Sequence, residues 1–214
     1  MSFATADERF FVSLVNNTRK EIGLDPLKIA KPLNEAADDH TQWMLDTGNF
    51  SHAGDDGSSA SDRIKDAGFP MIGESWSTRE NLGYISVQGG DDLRDEIRQM
   101  HQNLLDSPSH RKNIIDPDLE YIGIGLEVGQ YNGHTVLMAT QNFGRTTGQP
   151  EIDNGRFPVS LEPSADLSIQ SRTDWLQDRF DGRIKRSSDD DSKIMAKCRE
   201  NNLYIYRERM RVKT

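Results

Sequence analysis

Residues 121–128, Tyr-Ile-Gly-Ile-Gly-Leu-Glu-Val, decide the fold class. Ile122, Ile124, Leu126 and Val128 alternate with Gly123, Gly125 and Glu127, the period of a strand with one apolar face. Tyr131-Asn132-Gly133 follows as a turn, and Thr135 to Phe143 reads as a second apolar strand, so the pair forms an antiparallel hairpin. Upstream the period is helical. Thr5-Ala6-Asp7-Glu8 has the form of a capping box, and Phe10, Phe11, Leu14, Val15 and Ile22 keep one stripe until Gly23. Pro32 suits the first turn of a second helix, with Leu33, Ala36, Ala37, His40 and Met44 on one face and Gly48 as its stop. Ser59 to Asp62 can open a short third helix. A fourth starts at Asp91 or Asp92 and buries Leu93, Ile97, Met100 and Leu104. Ser107-Pro108 begins a short turn ending near Asp116-Pro117, and Tyr84 to Val87 reads as a strand. Helices first and strands later give an α+β chain rather than a doubly wound parallel sheet.

Composition sets the outer limits. The 214 residues predict one domain with an appendage. No apolar run is long enough for a transmembrane segment. The net charge of −9 argues against nucleic acid as a partner. The first eight residues show no classical secretory signal peptide, and the single cysteine, Cys198, excludes an intrachain disulfide and a cysteine metal site. Charge is unevenly spread: residues 1–171 carry −13 and residues 172–214 carry +4. That shift, with the linker-like run Gly144 to Pro150, predicts a domain over 5–146 and a partly disordered or loosely packed extension over 147–214. In the extension Thr173 to Phe180 could form a helix and Leu203 to Tyr206 a strand. Asp189-Asp190-Asp191 lacks the alternating ligands of a calcium loop.

Three segments put a titratable group beside turn-forming residues: Phe50-Ser51-His52-Ala53-Gly54, Arg79-Glu80-Asn81-Leu82 and Ser107-Pro108-Ser109-His110-Arg111. If they converge, His52 and His110 could shuttle protons or ligate a divalent ion, with Glu80 holding a tautomer or a charge. His40 reads as a core or boundary residue, His101 as a helix flank, and His134 as part of the turn. No G-x-S-x-G, H-E-x-x-H, Walker A or G-x-G-x-x-G pattern occurs.

In their order, FSHAG, RENL, SPSHRKNI, EYIGIGLEV and MATQNFG resemble the CAP superfamily: cysteine-rich secretory proteins, antigen 5 and the pathogenesis-related proteins of plants. The likeness runs over roughly residues 8–146 and is nearest to the bacterial, cysteine-poor branch. It implies an α-β-α sandwich with an antiparallel central sheet and an open cleft. In eukaryotic members two His and two Glu line that cleft and can hold a divalent metal such as zinc. Carried over singly, the first His matches His52 and the first Glu matches Glu80. Ser107 stands where the second Glu would be, and Met138 replaces the second His. His110 is the natural candidate to restore an imidazole, so His52, His110 and Glu80 form a three-ligand set at best, since methionine is a poor zinc ligand.

The resemblance implies a non-catalytic binding or interaction module for a small apolar ligand, a peptide or a divalent ion. The competing expectation is a metal-assisted hydrolase of peptide or cell-wall bonds. There Glu80 would be the general base on a water held by His52 and His110. A third reading has the three residues only tying loops together. The resemblance also implies an extracellular or cell-envelope location.

Overall fold

The computed structural model describes residues 3–155, apart from Glu74, Gln88, Gly90 and Asp91. Its elements are α1 (Ala6–Glu21), β1 (Lys28–Ile29), α2 (Lys31–Thr47), a 3-10 turn (Asp55–Gly57), α3 (Ala60–Asp66), β2 (Ser77–Ser86), α4 (Arg94–Asp106), α5 (Pro108–Ile114), β3 (Tyr121–Tyr131) and β4 (His134–Arg145). The readings placed on Thr173 to Phe180, Asp189 to Asp191, Cys198 and Leu203 to Tyr206 lie outside the described residues. None of the described helices is long and apolar enough to cross a membrane.

The hairpin forms as its alternation predicts, and it is the middle of a four-stranded sheet ordered β1-β3-β4-β2. β2 and β3 both run antiparallel to β4, but β1 pairs parallel to β3 through Lys28↔Tyr121 and Ile29↔Ile122. The sheet is therefore mixed, not antiparallel throughout. Two residues are too few to show a period, so β1 leaves no strand signal in the sequence. β2 is also longer than its apolar stretch, because Ser77 to Leu82 pair with β4 although they are mostly polar.

Three layers result, with α2 on one face of the sheet and α1, α4 and α5 on the other. The glycines of β3 explain how close the first layer comes. A Cβ on Gly123 would lie 2.1 Å from the Leu33 carbonyl carbon, and one on Gly125 would lie 2.3 Å from that of Ala37. The α2 backbone thus rests directly on β3, over positions that no side chain could share. On the far face Ile122, Ile124, Leu137 and Phe143 pack fully buried against Phe11, Val15, Ile97 and Met100. Each such side chain contributes about 1.5–3 kcal/mol.

Two polar side chains are sealed into that second layer. Arg19 is 1% exposed and fans its donors onto the carbonyls of Asp25 (2.8 Å), Ile114 (3.0 Å), Asp116 (2.9 Å) and Leu119 (3.3 Å). It fastens the end of α1 to the chain leaving α5. His101 is not the flank residue its position predicts. It is 7% exposed, edge-on to Phe11, with Nε2 2.9 Å from Thr18 Oγ1 and no partner at Nδ1. Burial drives its pKa from 6.5 to about 4. The folded state therefore binds fewer protons than the unfolded chain between those values. Its stabilising share is complete above pH 6.5 and is lost as pH falls toward 4, by about 3 kcal/mol at most. We expect the midpoint of urea unfolding to drop over that window in the native chain, and to drop less in His101→Leu. Parallel curves for the two proteins would refute this assignment.

The described chain beyond Arg145 stays on the same body. Ile152 bridges Ala30, and Lys31 N–H and Ile29 C=O bond Glu151 and Asp153 at 2.9 Å each. The Asp153 carboxylate accepts from Ala4 N–H (2.9 Å) and from Arg9 (2.5 Å). These bonds hold its pKa below the usual aspartate value against the opposing effect of burial.

Candidate functional site

The site lies along β2, the edge strand opposite β1. Successive strand residues face opposite layers, so Glu80 turns toward the α2 side and Asn81 toward α5. Gly48 (φ 64°) ends α2 in the left-handed conformation, and the chain then turns to bring Phe50 and His52 over β2. A capping box formed by Ser59 and Asp62 starts α3, which delivers Arg63 to the same place.

Glu80 is the hub, with its side chain 3% exposed. His52 Nδ1 donates to Oε1 at 2.8 Å, and Arg63 Nη2 donates to Oε2 at 2.7 Å. With its amide oriented to satisfy both neighbours, Asn142 also donates to Oε2 at 3.3 Å and accepts from Ala37 N–H at 3.3 Å. Arg63 further donates to the His52 carbonyl (3.2 Å) and the Ser58 carbonyl (2.9 Å). Gly54 makes room for this: a Cβ there would sit 2.7 Å from Ser58 Oγ and 3.0 Å from Arg63 Nη1.

The His52 side chain remains 62% exposed, and since Nδ1 faces Glu80, Nε2 is the nitrogen left to a ligand. The hydrogen bond to Glu80 raises the His52 pKa, helped by the carboxylate charge and opposed by burial and Arg63. The His52–Glu80 bond is therefore at full strength below the ordinary histidine pKa of 6.5 and weakens as pH rises through the elevated one.

The His110 main chain borders the site from the other layer. Asn81 Nδ2 donates to the His110 carbonyl and to Gln141 Oε1, both at 3.1 Å. Asn113 Nδ2 donates to Asn81 Oδ1 (2.8 Å) and the Glu80 carbonyl (3.3 Å). These bonds pin α5 against the strand edge. Burial lowers the His110 pKa, and the charge of nearby His52 lowers it further. The bond that ties His110 to β2 is made by its main-chain carbonyl, whereas His52 meets Glu80 through its ring. His40 is the core residue its position predicts: it is 1% exposed, stacks on Trp43, and its Nε2 meets the Ser51 carbonyl at 2.9 Å.

Along the same face, about 13 Å from Glu80 at strand spacing, Tyr84 is 46% exposed, and its ring packs on Phe50 and Tyr131 with centroids 5.0 Å away in each case. The site therefore has a polar end and an aromatic end.

The residues present do not fit a zinc site. No group of three His, Cys, Asp or Glu able to hold a metal ion occurs among the described residues. Oε2 of Glu80 is already bonded to a guanidinium and Oε1 to the His52 ring. Met138 is fully buried beside Met44, Leu82 and Val136, and Ser107 is the residue that precedes α5, with Oγ 3.3 Å from Ser109 Oγ. Sequence reasoning did not single out Arg63, Asn81, Asn113 or Asn142. The nearest signal was the helix start read at Ser59 to Asp62, which places α3 but does not mark Arg63.

A family model described as the cysteine-rich secretory protein family, CAP, matches residues 12–143, more than half of the chain. Among curated proteins the chain is similar to the uncharacterized protein YkwD of Bacillus subtilis, with 31% identity over 124 residues, 58% of this chain and 44% of that protein. It is also similar to the uncharacterized membrane protein YlbC of the same bacterium, with 28% identity over 141 residues, 65% of this chain and 34% of that protein. The chain thus spans less than half the length of both relatives. Among solved structures it is similar to an outer surface protein from Borrelia burgdorferi (TM-score 0.47, 20% identity, 68% of this chain and 97% of that chain). An extracellular protein containing an SCP domain from Bacillus anthracis is similar to the same degree (TM-score 0.48, 22% identity, 68% and 45%). On the match to the family model, the chain belongs to the cysteine-rich secretory protein (CAP) family.

Proposed function

We propose that this CAP domain is a non-catalytic binding module, working outside the cell or in its envelope, whose cleft along β2 takes a peptide or a small ligand with an apolar part. The observation that carries this reading is the state of Glu80. Both of its oxygens already accept hydrogen bonds, from His52, Arg63 and Asn142. A general base must have a lone pair within reach of the water it deprotonates, and this carboxylate is 3% exposed, paired to a guanidinium, with three of its roughly four acceptor sites taken by protein donors. This burial and pairing favour the binding reading over the hydrolase reading, which assigned Glu80 that role. What the cleft offers instead is recognition: His52 Nε2 for a polar group, and the Tyr84–Phe50–Tyr131 rings for an apolar one.

Two measurements test the reading. Casein and peptidoglycan incubated with the purified protein should release no product, and N-acetyl-phenylalanine amide should shift the NMR signals of Tyr84 and His52. Product release that Glu80→Gln abolishes would overturn it. Glu80→Gln should act on stability, costing about 3 kcal/mol because it leaves the Arg63 charge buried without its counter-ion. Urea unfolding reads that loss directly.

A further inference from the structure

We infer that Arg63 is the resident cation of the cleft, holding Glu80 and the His52 loop in the way a divalent ion otherwise would, so that the site assembles and binds without metal. This rests on the cleft being a binding site. A carboxylate 3% exposed needs a positive partner. In the CAP clefts that hold zinc, a metal can supply that charge. Here the guanidinium supplies it, bonded through Nη1 and Nη2, while its Nε is buried without a partner.

Three of its contacts go to three separate acceptors: Glu80 Oε2, the His52 carbonyl and the Ser58 carbonyl. The planar fork suits this better than a spherical ammonium. Gly54 leaves free the space a side chain would take from Nη1. The two family positions that no longer carry ligands serve other ends, Met138 in the core and Ser107 before α5.

A divalent ion entering between His52 Nδ1 and Glu80 Oε1 would have to share the carboxylate with a guanidinium already seated on Oε2, against its charge, and that guanidinium also ties down the loop. Metal is therefore excluded by a competitor built into the chain, and a cleft ligand meets an imidazole rather than a Lewis acid. Binding should be indifferent to chelators.

The test is a zinc titration of the full chain followed at the His52 imidazole NMR signals, with cobalt as a paramagnetic check. The native protein should show no saturable change at His52 up to about 1 mM zinc. Its melting temperature should be the same in EDTA and in zinc. Arg63→Ser should bind zinc at least about tenfold more tightly, and the added substitution His52→Ala should remove that gain. Arg63→Lys, which keeps the charge, should behave as the native chain does. Arg63→Gln serves equally if the serine variant fails to fold.

Zinc binding by the native protein at His52, or a folded neutral variant with no gain, overturns the inference. Failure of the binding-module reading would appear separately, as product release or as absence of ligand shifts, without changing the metal titration.

Discussion

Gly125→Ala should yield no soluble, cooperatively folding domain. The added methyl would lie 2.3 Å from the carbonyl carbon and carbonyl oxygen of Ala37 and 2.5 Å from the Asp38 nitrogen. All three atoms belong to the α2 backbone, so no rotamer change can relieve the overlap. Relief requires α2 to lift from the sheet along much of its length, uncovering Leu33, Ala36, Ala37 and Met44, all at most 3% exposed. We expect a loss above about 5 kcal/mol, comparable to the whole stability of a typical domain. Gly129→Ala is the internal control. Its Cβ would meet only the side chain of Leu45, at 2.9 Å, which can rotate away at a cost of about 1–2 kcal/mol. Soluble yield and urea midpoints of the two variants decide the matter. A Gly125→Ala protein melting within a few degrees of the native one would show that α2 does not rest where the structure puts it.

Arg19→Met is expected to cost about 4 kcal/mol or more. The substitution keeps most of the apolar stem, but it strips a hydrogen-bond donor from four carbonyls, three of them on the segment Ile114 to Leu119 that leaves α5. Hydrogen bonds to a charged donor contribute roughly 1.5–3 kcal/mol each, and buried acceptors left unmatched add a desolvation penalty. Arg19→Lys should recover little, since one ammonium cannot span acceptors spread along two segments. The damage should also reach the cleft, because α5 carries Asn113, which donates to the Glu80 carbonyl. Urea midpoints give the stability, and the His52 and His110 imidazole signals report the loosening. A native-like midpoint for Arg19→Met would show that water satisfies those carbonyls unaided.

The parts of this fold that speak in the sequence are those with a period. The β3–β4 hairpin, α1 and α2 follow from repeats of two and of 3.6 and from caps at Thr5, Gly48 and Ser59. β1 has no period to show. The polar half of β2 hides because edge residues such as Arg79 and Glu80 need no apolar alternation. The burial of His101 was hidden for a different reason: Phe11 and Thr18 cover it from a helix more than 80 residues earlier, and only the packing of α1 on α4 seals it.

The same division applies to the site. His52 and Glu80 were legible as unusual residues in turn-forming company, and the structure puts them in contact. Arg63 sits in a short polar helix where an arginine attracts no notice. Its role exists only once β2, α3 and the loop after α2 are side by side. The Asn81–Asn113 pair is silent for the same reason, being a bond between elements 32 residues apart.

Asp153 clasps Ala4 at the β1 margin of the sheet, whereas Glu80 and His52 occupy the β2 margin, with β3 and β4 between them. Both covalent exits from the described domain therefore sit at one corner, remote from the cleft.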